Sequence, residues 1–138
     1  MPDSSSTSPD HPTLEALERV LAETYRADTV QGDDGAQFPI YPTATDAAQG
    51  RAIRSLIVEE RAAKTFEVGF ALGLSTLNIA AGLLEVGQPD ATHAAIDPTE
   101  AWLWKNAGRR LVDRAGLEGL VEVIEESSHT LLPRWLAE

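Results

Sequence analysis

Apolar residues recur every three or four positions in two segments near the start of the chain, a spacing typical of amphipathic helices. Thr13 is a suitable N-cap for the first helix, which should end near Asp28. Its apolar face consists of Leu14, Leu17, Val20 and Leu21. Thr45 or Asp46 can cap the second helix, which should extend to about Ala62. The residues expected to face inward in this second helix are Ile53, Leu56 and Ile57.

The segment between these helices, residues 31–43, is rich in glycine and proline, and turn residues of this kind predict a loop. Three of its side chains are large and apolar. We expect them either to pack back on the body of the protein or to form a lid over a site. These residues are Phe38, Ile40 and Tyr41.

The pattern changes after residue 62, where short apolar runs with strand character alternate with helical segments. The predicted strands are Lys64–Val68, Thr92–Ile96 and Leu120–Ile124. The predicted helices are Ser75–Val86, Thr99–Ala115 and a last helix that begins at Ser127 or Ser128 and continues through Leu136. Strands and helices that alternate in this way form parallel βαβ units with right-handed crossovers. The sequence therefore predicts an α/β fold with a parallel sheet.

Composition and charge narrow the functional classes. The 138 residues carry a formal net charge of −11, which disfavours nucleic acid or an anionic membrane surface as a partner. Cysteine is absent and the three histidines lack the spacing of a metal site, so we expect no bound metal. Residues 1–12 are rich in Ser, Pro and Asp and predict a disordered tail. The sequence shows neither a secretory signal nor a membrane span, which favours a cytoplasmic location.

The most informative segment is Phe66–Thr76, where an apolar strand runs into Gly69 and Gly73 and then into a helix that opens with Ser75. This order places bare backbone and a helix N-terminus at the carboxyl end of a strand expected to be buried. Ligands bind at that position in open α/β sheets. The segment lacks the GxGxxG pattern of dinucleotide-binding folds, because Ala71 stands at the second position, and it lacks the lysine of a P-loop. A carboxylate is therefore a better fit to this helix N-terminus than a phosphate.

Further polar residues follow the next two strands. Asp97 comes directly after the second strand, where an acidic side chain can accept hydrogen bonds from ribose hydroxyls. Pro98 offers a rigid apolar edge for a purine, and Ser128 and His129 are placed to contact the purine rim. Glu67 brings negative charge close to the head of a ligand. Three of these residues also have a structural interpretation, in which Asp97 and Ser128 cap helices and Glu67 forms an ion pair.

Taken together and in this order, these motifs resemble the class I S-adenosylmethionine-dependent methyltransferases, and among them the small-molecule O-methyltransferases. The resemblance covers about residues 64–136. It rests on Glu67-x-Gly69-x-x-x-Gly73-x-Ser75, on Ile96-Asp97-Pro98, on Arg114-Ala-Gly-Leu and on Ser128-His129-x-x-x-Leu132-Pro133. It implies a Rossmann-like three-layer sandwich with parallel strands in the order 3-2-1 and helices on both faces.

The resemblance also implies a cofactor, S-adenosyl-L-methionine, and methyl transfer to a small-molecule acceptor at a hydroxyl oxygen. At the methionine end, Gly69 and Gly73 would pass the cofactor, with Glu67 near its amino group and Ser75 at its carboxylate. No catalytic residue is assigned, because the family's acceptor-binding and metal-binding side chains follow strands that have no counterpart among these motifs.

At the nucleoside end, the resemblance assigns the ribose hydroxyls to Asp97 and one side of the adenine to Pro98. Ser128 and His129 match the pair that contacts the adenine edge in this family, although a glutamine is more common at the second of these positions. An acidic surrounding also suits the positive charge of a sulfonium.

In the family the strand order is 3-2-1-4-5-7-6, and the motifs of this chain stop before the fourth strand. The first strand would then be an open edge, which invites pairing with another chain. We therefore expect a truncated or split methyltransferase, or a subunit completed by a partner chain or a second copy. The expected divisions are residues 1–12 as a tail, 13–62 as N-terminal helices with a lid-like loop, and 63–138 as the cofactor-binding half. The alternatives are a non-catalytic interaction module or oligomerising relic and, disfavoured by Ala71, a nicotinamide-dependent oxidoreductase.

Overall fold

The computed structural model of this chain describes residues 12–138, so the tail predicted at residues 1–12 lies, apart from Pro12, outside the described residues. Within this range the α-helices are α1 (Leu14–Ala27), α2 (Ala47–Glu60), α3 (Leu74–Val86), α4 (Ala107–Arg114) and α5 (Ser128–Ala137). The strands are β1 (Thr29–Gln31), β2 (Gln37–Pro39), β3 (Lys64–Val68), β4 (Thr92–Ile96) and β5 (Val121–Ile124). None of these helices combines the length and the apolar character needed to cross a membrane.

The larger sheet is parallel, with β4 between β3 and β5, so the carboxyl ends of the three strands lie at the same end of the sheet. Successive side chains of β3 point to opposite faces. On one face, Glu67 accepts a hydrogen bond from the hydroxyl of Thr76 in α3. On the other face, Phe66 packs edge-to-face on Trp135 of α5, with ring centroids 5.8 Å apart. The predicted α/β fold with a parallel sheet and helices is confirmed.

Helices α1 and α2 pack on α3, which lies against the sheet. Small residues allow α2 and α3 to approach closely. A Cβ at Gly82 would lie 2.7 Å from the Cβ of Ile57, and one at Gly50 would overlap the side chain of Asn78. The helices share one buried cluster, which includes Leu17 of α1, Leu77 of α3 and Leu111 of α4.

The two N-terminal helices begin where their caps predict. Thr13 accepts a hydrogen bond from the N–H of Ala16 at 3.2 Å, and Asp46 forms a reciprocal capping box with Gln49. The prediction for the inward face of α2 was wrong at one residue. Leu56 is exposed, whereas Ile53 and Ile57 pack on the core. Leu56 lies at the border of the apolar face, where the described residues leave it 57% exposed.

The loop predicted at residues 31–43 overlaps a short hairpin, because β1 begins just before it and β2 lies within it. The two strands pair antiparallel, with Val30 opposite Phe38. Strands of this length produce no recognisable alternation, so the glycine and proline residues dominated the sequence pattern. Ile40 is buried in the core and Phe38 packs on Trp104 with ring centroids 5.7 Å apart, whereas Tyr41 is exposed.

The helix predicted at Thr99–Ala115 is wrong in its first half, because α4 begins only at Ala107. The carboxylate of Asp97 accepts hydrogen bonds from the backbone N–H and the hydroxyl of Thr99, at 2.8 Å and 2.6 Å. These bonds favour a turn over a helix at this point. Lys105 and Asn106 then adopt positive φ angles of 50° and 58°, which a helix does not allow. Residues 98–106, called the turn segment below, therefore precede α4 as irregular structure.

Strand β3 was expected to be buried, and this expectation was wrong: one of its faces is exposed and the other is only partly buried. Phe66 and Val68 are 55% and 57% exposed. Within residues 12–138, β3 pairs only with β4, so its other edge offers unpaired backbone groups.

Candidate functional site

A glycine turn, residues 69–73, connects β3 to α3 at the carboxyl end of the sheet. Gly69 and Gly73 have φ angles of 93° and 84°, a region that glycine adopts without strain. A Cβ at Gly69 would meet nothing within 4 Å, so this residue borders open space. A Cβ at Gly73 would lie 3.2 Å from the Cα of Gly108, so this residue instead allows α4 to pack closely behind the turn.

The N-terminus of α3 is open towards the same space. Its N-cap is Gly73, which has no side chain to accept hydrogen bonds from the first turn of the helix. The first-turn N–H groups have no partners within the helix itself, and the helix dipole adds partial positive charge at this point. An anionic group is therefore favoured in front of α3.

A cleft of about 300 Å³ opens in front of the glycine turn. Its walls are the segment 43–45, which precedes α2, and the continuous stretch 67–75 from the end of β3 into α3. This volume lies at the lower end of the range of about 300–1,000 Å³ that is typical of small-molecule sites. The predicted site residues that line the cleft are Glu67, Gly69, Gly73 and Ser75.

Asp97 lies at the carboxyl end of β4 and is buried, with its carboxylate directed at the glycine turn. One oxygen, Oδ2, accepts hydrogen bonds from the N–H groups of Phe70 and Ala71 at 3.0 Å and 2.9 Å. The other, Oδ1, accepts both hydrogen bonds from Thr99. Asp97 therefore fixes the glycine turn to the start of the turn segment.

Two opposing effects set the pKa of Asp97. Burial acts to raise it, but the hydrogen bonds from Thr99, Ala71 and Phe70 stabilise the charged form and outweigh burial, so the pKa lies below its ordinary value. The carboxylate is therefore ionised at neutral pH and places a negative charge directly beneath the glycine turn.

Glu67 is the centre of a second polar network. The hydroxyl of Ser75 donates to its carboxylate at 2.5 Å, and the hydroxyl of Thr76 donates to it as well. The Nε2 atom of the buried His93 lies 3.0 Å from the same carboxylate, and His93 Nδ1 lies 2.8 Å from the hydroxyl of Thr65. The side chains of Glu67 and Ser75 are thus engaged with each other at the base of the cleft.

The remaining predicted site residues are not brought into the cleft. Pro98 follows Asp97 at the same end of the sheet, and Ser128 and His129 form the first turn of α5, which follows β5. The N-cap of α5 is Ser127, whose hydroxyl accepts a hydrogen bond from the N–H of His129 at 3.2 Å. The structure therefore places these residues along the carboxyl end of the sheet without joining them into one surface with the glycine turn.

Sequence reasoning missed several residues that support the site, namely Thr76, His93, Thr99 and Glu100. The sequence contains a signal for two of these residues, Thr99 and His93. Thr99 follows Asp97 at the spacing of a side-chain turn, and His93 lies opposite Thr65 in the register of two predicted parallel strands. Glu100 gave no signal, because it lies in the first half of the helix predicted at Thr99–Ala115, and that half does not form.

A larger groove, of about 460 Å³, lies between α1, the hairpin and α4. Two arginines border it, but Arg114 is paired with Glu23 and Arg110 with Asp33. The groove lies away from the carboxyl ends of the parallel strands, where α/β sheets bind their ligands, so the cleft at the glycine turn is the better candidate.

No known family model matches the sequence, and no curated protein matches it. Solved structures do match its fold. An O-methyltransferase from Bacillus cereus in complex with SAH is 22% identical, with a TM-score of 0.63, over 92% of this chain and 50% of that chain. The O-methyltransferase TomG from Streptomyces achromogenes, involved in tomaymycin synthesis and solved with SAM, is 22% identical, with a TM-score of 0.61, over 87% and 46%.

The SAH-bound methyltransferase PaMTH1 from Podospora anserina is 18% identical, with a TM-score of 0.63, over 97% of this chain and 55% of that chain. This chain thus spans about half the length of the solved structures that it matches. At these identities the likeness establishes the fold alone.

Proposed function

We propose that this chain binds S-adenosyl-L-methionine in the cleft at the glycine turn and forms part of an enzyme that methylates a hydroxyl oxygen of a small molecule. The observation that carries the proposal is the combination of bare glycine backbone and an uncapped helix N-terminus at the carboxyl end of β3. Support comes from solved structures of the same fold, which are named as methyltransferases and contain SAM or SAH.

The methionine end of the cofactor fits the cleft as the structure describes it. Its carboxylate would accept hydrogen bonds from the first-turn N–H groups of α3. Ser75 contributes its backbone N–H, because its hydroxyl already donates to Glu67. Gly69 and Gly73 would allow the chain of the cofactor to pass close to the backbone. Glu67 would offer negative charge to the amino group.

To bind the nucleoside end of the cofactor, Asp97 would have to exchange one of its present hydrogen bonds for one from the ribose. Its carboxylate already accepts four hydrogen bonds, which is about as many as a carboxylate can accept. The hydroxyl of Thr99 is the donor that can most readily rotate away, whereas the backbone donors are fixed. A ribose hydroxyl would take its place, with Pro98, Ser128 and His129 on the adenine side.

Bound S-adenosylmethionine supplies a methyl group on a positively charged sulfur. The contribution of this chain is to hold and orient that group, because methyl transfer gains most from proximity and alignment. The ionised Asp97 and the net charge of −11 favour a cationic ligand. Within residues 12–138 no group of three or more histidine, aspartate or glutamate side chains is arranged to hold a metal ion. We assign no catalytic residue.

We propose further that another polypeptide, a partner chain or a second copy, completes the sheet beside β3. The free edge of β3 and the exposed side chains of Phe66 and Val68 provide both backbone groups and apolar surface for an added strand. Val68 and Gly69 also line the cleft, so an added strand would lie next to the proposed cofactor site. That polypeptide would supply much of the surface for the methyl acceptor.

The same exposed surface favours a second candidate function, a non-catalytic module that uses this fold for assembly. The two candidates differ in their response to the cofactor. If the chain serves only in assembly, its oligomer or complex should form equally well with and without S-adenosylhomocysteine. Sedimentation velocity measures this directly.

The decisive experiment is calorimetric titration of the chain with S-adenosylhomocysteine, comparing Gly69→Ala with Gly116→Ala. Both glycines have positive φ, 93° and 72°, and at both positions a Cβ would meet nothing within 4 Å, so both variants introduce backbone strain, on the order of 1–2 kcal/mol, without a steric clash. Of these two glycines, only Gly69 borders the cleft. We expect Gly69→Ala to weaken binding about tenfold or more, which is about 1.4 kcal/mol. Gly116→Ala should bind like the parent chain.

Equal losses in the two variants would show that strain, and not the cleft, controls affinity. The absence of binding heat in the parent chain, and also in its complex with any sheet-completing polypeptide, would overturn the proposed function.

A further inference from the structure

The side chain of Glu100 is fully buried, at 0% exposure, in the turn segment between β4 and α4. Its Oε1 atom accepts a hydrogen bond from the backbone N–H of Arg109 at 3.0 Å. Its Oε2 atom is also buried and has no hydrogen-bond partner among the described residues. A buried carboxyl oxygen without a partner is costly, and more so when the group is charged.

Glu100 supplies the side-chain capping hydrogen bond that the N-cap residue of α4 does not make. The N-cap of α4 is Asn106, whose side chain makes no capping hydrogen bond and instead donates to Asp33. Glu100 reaches across from the turn segment to the first turn of the helix, and its backbone carbonyl accepts the N–H of Asn106 at 3.0 Å. One residue therefore closes the turn segment onto the start of α4.

The start of α4 is in turn packed against the glycine turn. A Cβ at Gly108 would lie 2.6 Å from the carbonyl oxygen of Ala71 and 2.6 Å from the ring of Phe70. The N–H groups of these same two residues are bound by Asp97, which precedes Glu100 by three positions. Glu100 thus lies where β4, α4 and the glycine turn meet.

Two charged groups face Glu100: Asp97 from the end of β4 and Arg109 from α4. Burial is the main cause that raises the pKa of Glu100, to about 7, and the charge of Asp97 acts in the same direction. The N–H groups of Arg109 and Gly108 and the charge of Arg109 oppose these effects without cancelling them. Asp33 lies on the outer side of the turn segment, where it contacts Asn106 and Arg110.

We propose that Glu100 is a positioning residue whose protonated form holds α4 and the turn segment against the glycine turn, and whose ionisation loosens this contact and weakens ligand binding in the cleft. The ligand half of this statement rests on the proposed function. The contact itself does not, because it can be measured in the ligand-free protein.

The direction follows from proton linkage. When the turn segment opens, Glu100 regains an ordinary pKa near 4.5, whereas in the closed form the value is about 7. The stabilising contribution of Glu100 is therefore complete below pH 4.5, is lost progressively as the pH rises to about 7, and changes little above that. Opening becomes about tenfold more favourable between pH 6 and pH 8.

The first test is hydrogen exchange of the ligand-free chain between pH 5 and pH 8, corrected for the intrinsic pH dependence of exchange. We expect the protection of the Phe70, Ala71 and Arg109 amides to fall about tenfold between pH 6 and pH 8. Glu100→Gln keeps a carbonyl acceptor for Arg109 but cannot ionise, so its protection should not vary with pH. Glu118→Gln, an exposed carboxyl after α4, is the matched control and should behave like the parent chain.

The second test measures the affinity for S-adenosylhomocysteine over the same pH range. We expect it to weaken severalfold from pH 6 to pH 8 in the parent chain and in Glu118→Gln, and to stay constant in Glu100→Gln. Any pH dependence that survives in Glu100→Gln belongs to other groups.

Identical exchange profiles in the parent chain and Glu100→Gln would overturn the positioning role. A difference in exchange together with no binding at any pH would instead contradict the proposed function and leave the role of Glu100 intact.

Discussion

The two faces of β3 contrast in a way that reverses the usual rule of burial. The inward face carries polar Thr65 and Glu67, whose side chains bond to His93 and to the hydroxyls of α3. The outward face carries apolar Phe66 and Val68, which are more than half exposed. Polar groups are partly buried where each has a partner, and apolar groups are exposed where the described residues provide little cover.

The described residues satisfy the polar groups of the inward face of β3 but leave the apolar groups of its outward face exposed. The inward face forms the base of the cleft, and its polar atoms are held by neighbours within the described residues. On the outward face Trp135 packs on Phe66, and no strand among residues 12–138 pairs with the second edge of β3. The comparison therefore predicts large costs for changes on the inward face and small costs for changes on the outward face.

The largest effect is expected for Glu67→Ala. This change removes the acceptor of the Ser75 and Thr76 hydroxyls and of His93, and leaves partly buried donors without partners. We expect the free energy of unfolding to fall by about 3 kcal/mol. Urea denaturation followed by circular dichroism measures this loss. Glu122→Ala, which removes an exposed glutamate from β5, is the control and should stay within about 0.5 kcal/mol of the parent chain. Similar losses in both variants would contradict the contrast between the faces.

The next effect concerns Asp97, the other carboxylate on the inward side. Its pKa is lowered in the folded chain, so its contribution to stability is complete above its ordinary value near 3.8 and is lost as the pH falls through the lower folded value. Asp97→Asn cannot accept hydrogen bonds from Phe70 and Ala71 at its amide nitrogen and should cost about 2 kcal/mol at pH 7. Urea titrations at several pH values should show this difference shrinking below pH 4. A difference that stays constant down to pH 2 would show that charge has no part in the role of Asp97.

Much of this fold could be predicted from local sequence signals. The strands β3 and β4 begin and end where the apolar runs do, and Thr13 and Asp46 cap their helices because capping involves residues only three apart. The glycine turn could be placed for the same reason, since positive φ is a property of single residues.

The rest depended on contacts between residues far apart in sequence. Helical spacing predicted a helix from Thr99, but the Asp97 carboxylate, placed by β4 next to the glycine turn, competes for the backbone there. The alternation in β3 could not reveal which face would be covered, because the partners of Glu67 come from α3 and β4. The roles of Pro98, Ser128 and His129 towards a cofactor remain predictions.

A smaller effect is expected where α5 meets the outward face. Trp135 and Phe66 pack edge-to-face with an interplanar angle of 87°, and such pairs contribute about 1 kcal/mol beyond simple burial. A double-mutant cycle with Trp135→Leu and Phe66→Leu should give a coupling free energy of about 1 kcal/mol in urea denaturation. Strictly additive losses would indicate that the two rings are not in contact in solution, and that α5 does not pack on this face of the sheet.

The smallest effect is expected for Val68→Thr, which exchanges a methyl group for a hydroxyl on the outward face at almost constant shape. Because Val68 is 57% exposed, we expect a change in unfolding free energy within about 0.5 kcal/mol. The matched change Val121→Thr places the same hydroxyl on a buried residue of β5, and should cost about 2 kcal/mol. If Val68→Thr were as costly as Val121→Thr in the monomeric chain, the outward face would already be covered within the chain. If Val68→Thr is neutral in the monomer but weakens its association with a sheet-completing polypeptide, the exposed face is the surface on which that polypeptide binds.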